Sequence, residues 1–157
     1  MRWDEMRDER CSIARTLSVI GDRWTMLILR DAFLRIRKFE DFQSDLGISR
    51  QRLSERLKML VDEGVLKKVE YQTSPSRHEY RLTSKGLDFY PVIMAMVNWG
   101  DKYMDGGKGA PMIYKHKTCG SYFRAEVHCS ECGEALDPRD VTPEIGPGKA
   151  TVKMRTQ

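Results

Sequence analysis

The segment "HKTCGSYFRAEVHCSECGEALD" gathers three of the chain's four cysteines and two of its three histidines. It reads as His116-x2-Cys119-Gly120 followed by Cys129-x2-Cys132-Gly133. A two-residue gap lets both side chains of each pair converge, while the glycine tolerates the turn. Thiolate and imidazole donors at this spacing suit tetrahedral Zn2+ bound by His116, Cys119, Cys129 and Cys132. Four protein ligands would leave no open position for water, so the site reads as structural. His128 competes as a ligand, but its place directly beside Cys129 makes joint coordination awkward. A tail with incidental thiols is the alternative reading. The grouping of cysteines favours metal or thiol chemistry over a disulfide framework.

A second chemistry lies in "GISRQRLSERLKMLVDEGVLKK". On a helical wheel Leu57 and Leu60 fall within about 40° of Leu53, and the three define a buried stripe. Gln51, Ser54, Glu55 and Lys58 project to the opposite side, with Arg50 and Arg52 beside them near the front. Arginine can pair with guanine in the major groove and glutamine with adenine. Ser49 caps the helix, and its free amides can hold a phosphate. Six of the residues from 49 to 68 are basic and three acidic, an excess that makes up most of the chain's net +4. Positive charge is thus concentrated on one element, which matters more than the total.

The elements that position these groups follow from periodicity and punctuation. Ile13, Leu17 and Ile20 recur at helical spacing after Cys11, and Gly21 supplies a stop. Trp24, Leu27, Ile28, Phe33 and Leu34 predict a second, strongly apolar and buried helix. Phe39, Phe42 and Leu46 mark a third, ended by Gly47. The basic helix runs from Ser49 to about Glu63. After Gly64, Val65 to Tyr71 and His78 to Leu82 alternate as strands around the loop "QTSPSR". Thr83 or Ser84 caps a further helix, in which Pro91 either introduces a kink or marks the true first turn. No internal repeat is visible. Helices ending in a basic one, followed at once by a hairpin, form a winged helix-turn-helix. The fold class is therefore mainly α with a small β-hairpin, plus a short C-terminal zinc-ribbon-like β segment. In this reading Lys67 and Lys68 at the hairpin base and Arg77 near its tip meet the DNA backbone or minor groove.

From Cys11 to about Met104 the chain resembles the HxlR-type family of bacterial winged-helix transcriptional regulators. The resemblance is carried by "CSIARTLSVIGDRWTMLILRDAF", "RKFEDFQSDLGISRQRLSERLKMLVDEGVL" and "EYRLTSKGLDFYPVIMAMVNWGDKY". It implies a homodimer, built mainly from the first and last core helices, that binds a palindromic operator. The interface would draw on Ile13, Leu17, Tyr90, Ile93, Met96, Val97 and Trp99, an apolar surface larger than a small winged helix covers alone. The operator contacts would come from Ser49, Arg50, Gln51, Arg52, Ser54 and Lys58. Cys11 matches the position at which some members sense electrophiles or oxidants, and Arg10 and Arg15 nearby could stabilise a thiolate. The plainer reading of Cys11 is a small apolar residue of the first helix. A small-molecule effector is the other form such a response takes.

The domains then read as an N-terminal arm 1–10, the winged-helix core 11–104, a linker 105–115, the zinc-ribbon-like segment 116–141 and a polar tail 142–157. No apolar run approaches the roughly 20 residues that span a membrane, and the charged start lacks a signal-peptide core; the expected location is cytoplasmic. No HExxH, GxSxG or Gly-rich phosphate loop is present, and no histidine lies near Cys11 in sequence, which argues against an enzyme. The remaining rival is a protein-interaction adaptor that uses the same fold without reading DNA.

Overall fold

The computed structural model describes residues 6–7 and 9–148. Part of the N-terminal arm and the end of the polar tail lie outside the described residues. Contacts divide the chain into two units, the first reaching Leu87 and including the segment from Glu144, the second spanning Asp88–Pro143.

The first unit begins with α1 (Ser12–Ile20), α2 (Arg23–Phe33), α3 (Phe39–Leu46) and α4 (Arg50–Asp62). Two of these starts are capped by side chains. The Asp22 carboxylate accepts from the Trp24 and Thr25 amides, and Ser49 Oγ accepts from the Arg52 amide at 3.4 Å, satisfying orphan donors of the first turns. The same Asp22 oxygen lies 3.2 Å from Arg56 Nε of α4, so one carboxylate caps α2 and holds the basic helix. Ile28, Leu29, Phe42, Leu53, Leu57 and Leu60 are fully buried and form the core. At roughly 1.5–3 kcal/mol per buried aliphatic side chain, the three leucines are the main anchor of α4. The expectation of a wholly buried α2 is corrected. Ile28 and Leu29 are enclosed, whereas Trp24, Leu27 and Phe33 are half-buried and Leu34 is exposed. A single stripe, rather than the whole circumference, faces the core.

The exit from α4 is a Schellman turn. Gly64 N–H donates to the Val61 carbonyl and Val65 N–H to that of Leu60, both at 2.9 Å, with Gly64 at φ 67°. Strand β1 (Leu66–Thr73) follows and pairs antiparallel with β2 (Ser76–Leu82). The expected six-residue loop shrinks to Ser74 and Pro75, because Gln72 and Thr73 pair with Arg77 and Ser76 and lengthen both strands. A bulge between Glu70 and Gln72 leaves Tyr71 out of the ladder. Lys38 adds a bridge to Glu79, and the Tyr80 amide donates to the Arg37 carbonyl at 2.8 Å. The wing thus has a one-residue third strand.

Thr83 closes the unit. Its hydroxyl donates to the Gly64 carbonyl at 2.6 Å and accepts from the Gly86 amide, starting the short α5 (Ser84–Leu87). A Cβ on Gly86 would sit 2.3 Å from the Val65 carbonyl oxygen, so only glycine fits there.

A buried acid ties α2 to α3. Asp31 is fully enclosed, and Arg30 reaches both Asp31 and Asp45. Burial pushes the Asp31 carboxyl up to about 6, against the lowering effect of Arg30 and with a small raising contribution from Asp45. A carboxyl that binds its proton more tightly when folded stabilises the fold below its unfolded pKa, near 3.8, and loses that contribution as pH rises through about 6. Asp31→Asn is therefore expected to remove a stability loss on the order of 2–3 kcal/mol between pH 4 and 7. The urea midpoints of both proteins across that range check it; parallel pH profiles would refute it.

In the second unit, α6 (Tyr90–Tyr103) carries Pro91 in its first turn, where the missing amide is harmless. Of the two expectations for Pro91, the true start of the helix is the one observed. The division at Leu87 groups α6 with the C-terminal segment, where the sequence reading places it in the winged core. Ile93 and Met94 are buried, while Val92, Met96, Trp99 and Tyr103 are exposed along one face. Two short hairpins follow: β3 (Tyr114–Lys115) pairs with β4 (Tyr122–Phe123), and His128 bridges Ala135. The Asn98 side-chain amide donates to the Ala125 carbonyl, joining α6 to the link between them.

Candidate nucleic-acid interface and the cysteine hairpins

Leu53, Leu57 and Leu60 face inward, so the α4 periodicity directs Gln51, Ser54, Glu55 and Lys58 outward, and all four are exposed. Ser49, Arg50 and Arg52 are exposed at its front. Three of these polar side chains, Gln51, Glu55 and Lys58, have local partners. Gln51 Nε2 donates to Glu55 Oε1 at 2.9 Å, and Lys58 Nζ lies 2.5 Å from Asp62 Oδ2. Glu55 thus orients the glutamine.

The front of α4 and the wing enclose a cleft of about 530 Å³. It is lined by Lys38, Arg50, Lys68 and Arg77 together with Tyr71 and His78. Two of its cations rest on aromatic faces: Arg50 lies 4.8 Å from the Phe39 ring centroid, and Lys38 lies 5.6 Å from that of Tyr71. Such contacts hold a flexible cation at a fixed place. Tyr71 is the residue at the bulge of β1. Lys67 does not line the cleft; strand alternation sends neighbouring side chains to opposite faces, so Lys67 and Lys68 separate. Lys38, Phe39 and Tyr71 are the residues that sequence reading missed. The basic run "RIRK" before α3 was the available signal.

The remaining candidates are dispersed. Ile13 is 71% exposed, Met96 52% and Trp99 59%, and Leu17 is exposed as well. Tyr90 and Val97 are half-buried. Ile93, at 7%, is already enclosed, which removes it from any surface offered to a second chain. Cys11 is half-buried at the N-cap of α1 and makes no side-chain capping bond.

His116 Nδ1 lies 3.3 Å from Cys119 Sγ. The Ser121 amide beside Cys119 and then the His116 ring lower its thiol to about 7. The Cys132 and Glu131 amides, with the Cys132 side chain, lower that of Cys129. His128 is engaged elsewhere, through Nδ1 to the Gly133 carbonyl at 2.8 Å and Nε2 to Glu126 at 3.3 Å. Among the described residues, no three His, Cys, Asp or Glu side chains come together as one ion would need. The donors form two pairs.

Comparison with known proteins agrees with this architecture. A family model described as HxlR-like helix-turn-helix matches residues 19–108. A Mycobacterium tuberculosis protein (strain H37Rv), named as the uncharacterized HTH-type transcriptional regulator Rv3095, is 45% identical over 142 residues, covering 90% of each chain. The crystal structure of PA1607, a candidate transcription factor, matches with a TM-score of 0.80 at 35% identity, covering 89% of this chain and 98% of that one. The redox regulator HypR in its reduced form matches with a TM-score of 0.56 at 26% identity, over 60% of this chain and 95% of its own.

Proposed function

The chain belongs to the HxlR-like helix-turn-helix family of DNA-binding transcriptional regulators, and we propose that it is a homodimeric repressor of an inverted-repeat operator. Membership in a regulator family sets aside the enzymatic reading. The observation that carries the proposal is the joint placement of Arg50, Gln51, Arg52 and Ser54 on the open front of α4, beside a wing cleft holding Lys38, Lys68 and Arg77. In this arrangement the helix front enters the major groove and the cleft cations take the adjoining phosphates.

The dimer is supported by the exposed face of α6. Val92, Met96, Trp99 and Tyr103 fall at i, i+4, i+7 and i+11, one continuous helical stripe. A second copy covers this stripe, and Ile13 and Leu17 of α1 are exposed apolar side chains that it can also cover. A two-fold pair sets its reading helices one DNA turn apart, about 34 Å. Duplexes selected by the purified protein from random sequence should carry inverted half-sites at that spacing. The full site should bind at least about tenfold more tightly than one half-site, as a second linked contact requires. Equal affinity for both, measured by fluorescence anisotropy, would defeat the paired reading.

Cys11 is proposed as an oxidant- or electrophile-responsive thiol. Its support is its free, half-buried side chain at the start of α1 and the likeness of the chain to the redox regulator HypR. Treatment with a quinone should release operator DNA from the native protein and leave Cys11→Ser bound. An unchanged response in the variant would remove Cys11 from the mechanism.

A further inference from the structure

The two cysteine hairpins are the same object built twice, with an offset of thirteen residues. In the first, the His116 amide donates to the Ser121 carbonyl at 2.9 Å and the Gly120 amide to the His116 carbonyl at 2.8 Å. In the second, the Cys129 amide donates to the Glu134 carbonyl at 2.8 Å and the Gly133 amide to the Cys129 carbonyl at 2.9 Å. Gly120 and Gly133 have φ of 71° and 77°, the left-handed conformation that closes each tip. The flanking pairs also correspond. Lys115 opposite Tyr122 matches His128 opposite Ala135, and Tyr114 opposite Phe123 matches Val127, whose carbonyl accepts from the Leu136 amide. The sequence shows the two turns through their spacing alone, because the decapeptides share only the second cysteine and the glycine.

This frame fixes what the tips present. The first and fourth tip positions hold His116 and Cys119 in one hairpin, and Cys129 and Cys132 in the other. In a tetrahedral zinc site with Zn–N near 2.0 Å and Zn–S near 2.3 Å, neighbouring donors stand roughly 3.5 Å apart. The 3.3 Å between His116 Nδ1 and Cys119 Sγ is close to that edge length. The backbone amide of Ser121 hydrogen-bonds to Cys119, and those of Glu131 and Cys132 to Cys129, an orientation that satisfies a metal-bound sulfur. His116, Cys119 and Cys132 are exposed and Cys129 half-exposed, so an ion can reach them. His128 has its ring turned to the backbone and Glu126, which leaves His116 as the imidazole donor.

We propose that the duplicated hairpins are two halves of one structural zinc site. His116, Cys119, Cys129 and Cys132 together bind a single tetrahedral Zn2+ that draws the two tips onto each other. Two donors alone hold zinc poorly, whereas four protein ligands complete its preferred shell. Residues Arg124 to Glu126 separate the flanking pairs, and the Ala125 carbonyl among them accepts from the Asn98 side chain. The site concerns the second unit alone, so it stands or falls separately from operator binding.

The test uses the full-length protein purified with zinc present. Elemental analysis should find one zinc per chain. Thiol labelling should spare Cys119, Cys129 and Cys132, modify Cys11, and reach all four after chelation. Cobalt added to the chelated protein should saturate at one equivalent with the absorption of a tetrahedral thiolate complex. His128→Ala should leave that titration unchanged, and Cys132→Ser should weaken cobalt binding at least tenfold. Should Cys132→Ser fail to fold, labelling and stoichiometry of the native chain still decide the matter. Absence of bound metal, two equivalents per chain, or an octahedral cobalt spectrum would each overturn the joint site.

Discussion

Replacing Arg50 or Arg52 with alanine should weaken operator binding by about 1–3 kcal/mol, roughly a fivefold to 150-fold loss for each change. Both residues are exposed at the front of the leucine-anchored helix. Arg50 should matter more. Its guanidinium already rests on Phe39, so part of the ordering that binding requires is met before DNA arrives. The manner of the loss separates two roles. A base-reading arginine relaxes sequence preference at one position when removed, whereas a phosphate contact weakens all sequences alike and lowers the salt slope by about one. Anisotropy titrations over a range of salt concentrations give both quantities. A change of less than threefold in both variants, with folding intact, would remove the helix front from the interface.

Leu57→Ala should have the larger effect on the fold itself, a destabilisation of about 2–5 kcal/mol. Leu57 is completely enclosed, as are Leu53 and Leu60 on the same stripe, so a cavity there has no route to solvent. Small domains have about 5–15 kcal/mol of stability in total, so a loss of this size unfolds a sizeable fraction of molecules near growth temperature. Operator binding would then fall because folded protein is scarce. Leu57→Met is the control: it preserves volume, should cost less than about 1.5 kcal/mol and should keep binding. Urea unfolding of the three proteins measures the difference. A cost below about 1 kcal/mol for alanine would mean that the leucine stripe does not anchor the helix.

These predictions rest on features of unequal visibility in the sequence. Local chemistry was legible. Ser49 as a cap, Gly47 and Gly64 as stops, and the leucine stripe each depend on neighbours within one helical turn, and the structure places them accordingly. Features that depend on distant partners were not. The Lys38–Glu79 bridge is a single pairing and leaves no period to detect. The bulge at Tyr71 follows from the register of both strands, which cannot be read from one alone. The link from the Asp22 cap to Arg56 depends on how α2 and α4 cross. The C-terminal hairpins show the same limit. Their spacing suggested two knuckles, while the equivalence of their backbone bonds appears only once both are folded.

The left-handed turn at Gly64 makes the reading helix and the wing behave like the jaws of a caliper, with the gap between them written in one pair of backbone dihedrals. An extra residue at that point would swing the wing by about 100° around the helix axis while leaving each jaw intact. A chain altered in this way would keep its secondary structure and its charge, yet it would no longer span one groove edge and the next phosphate row together.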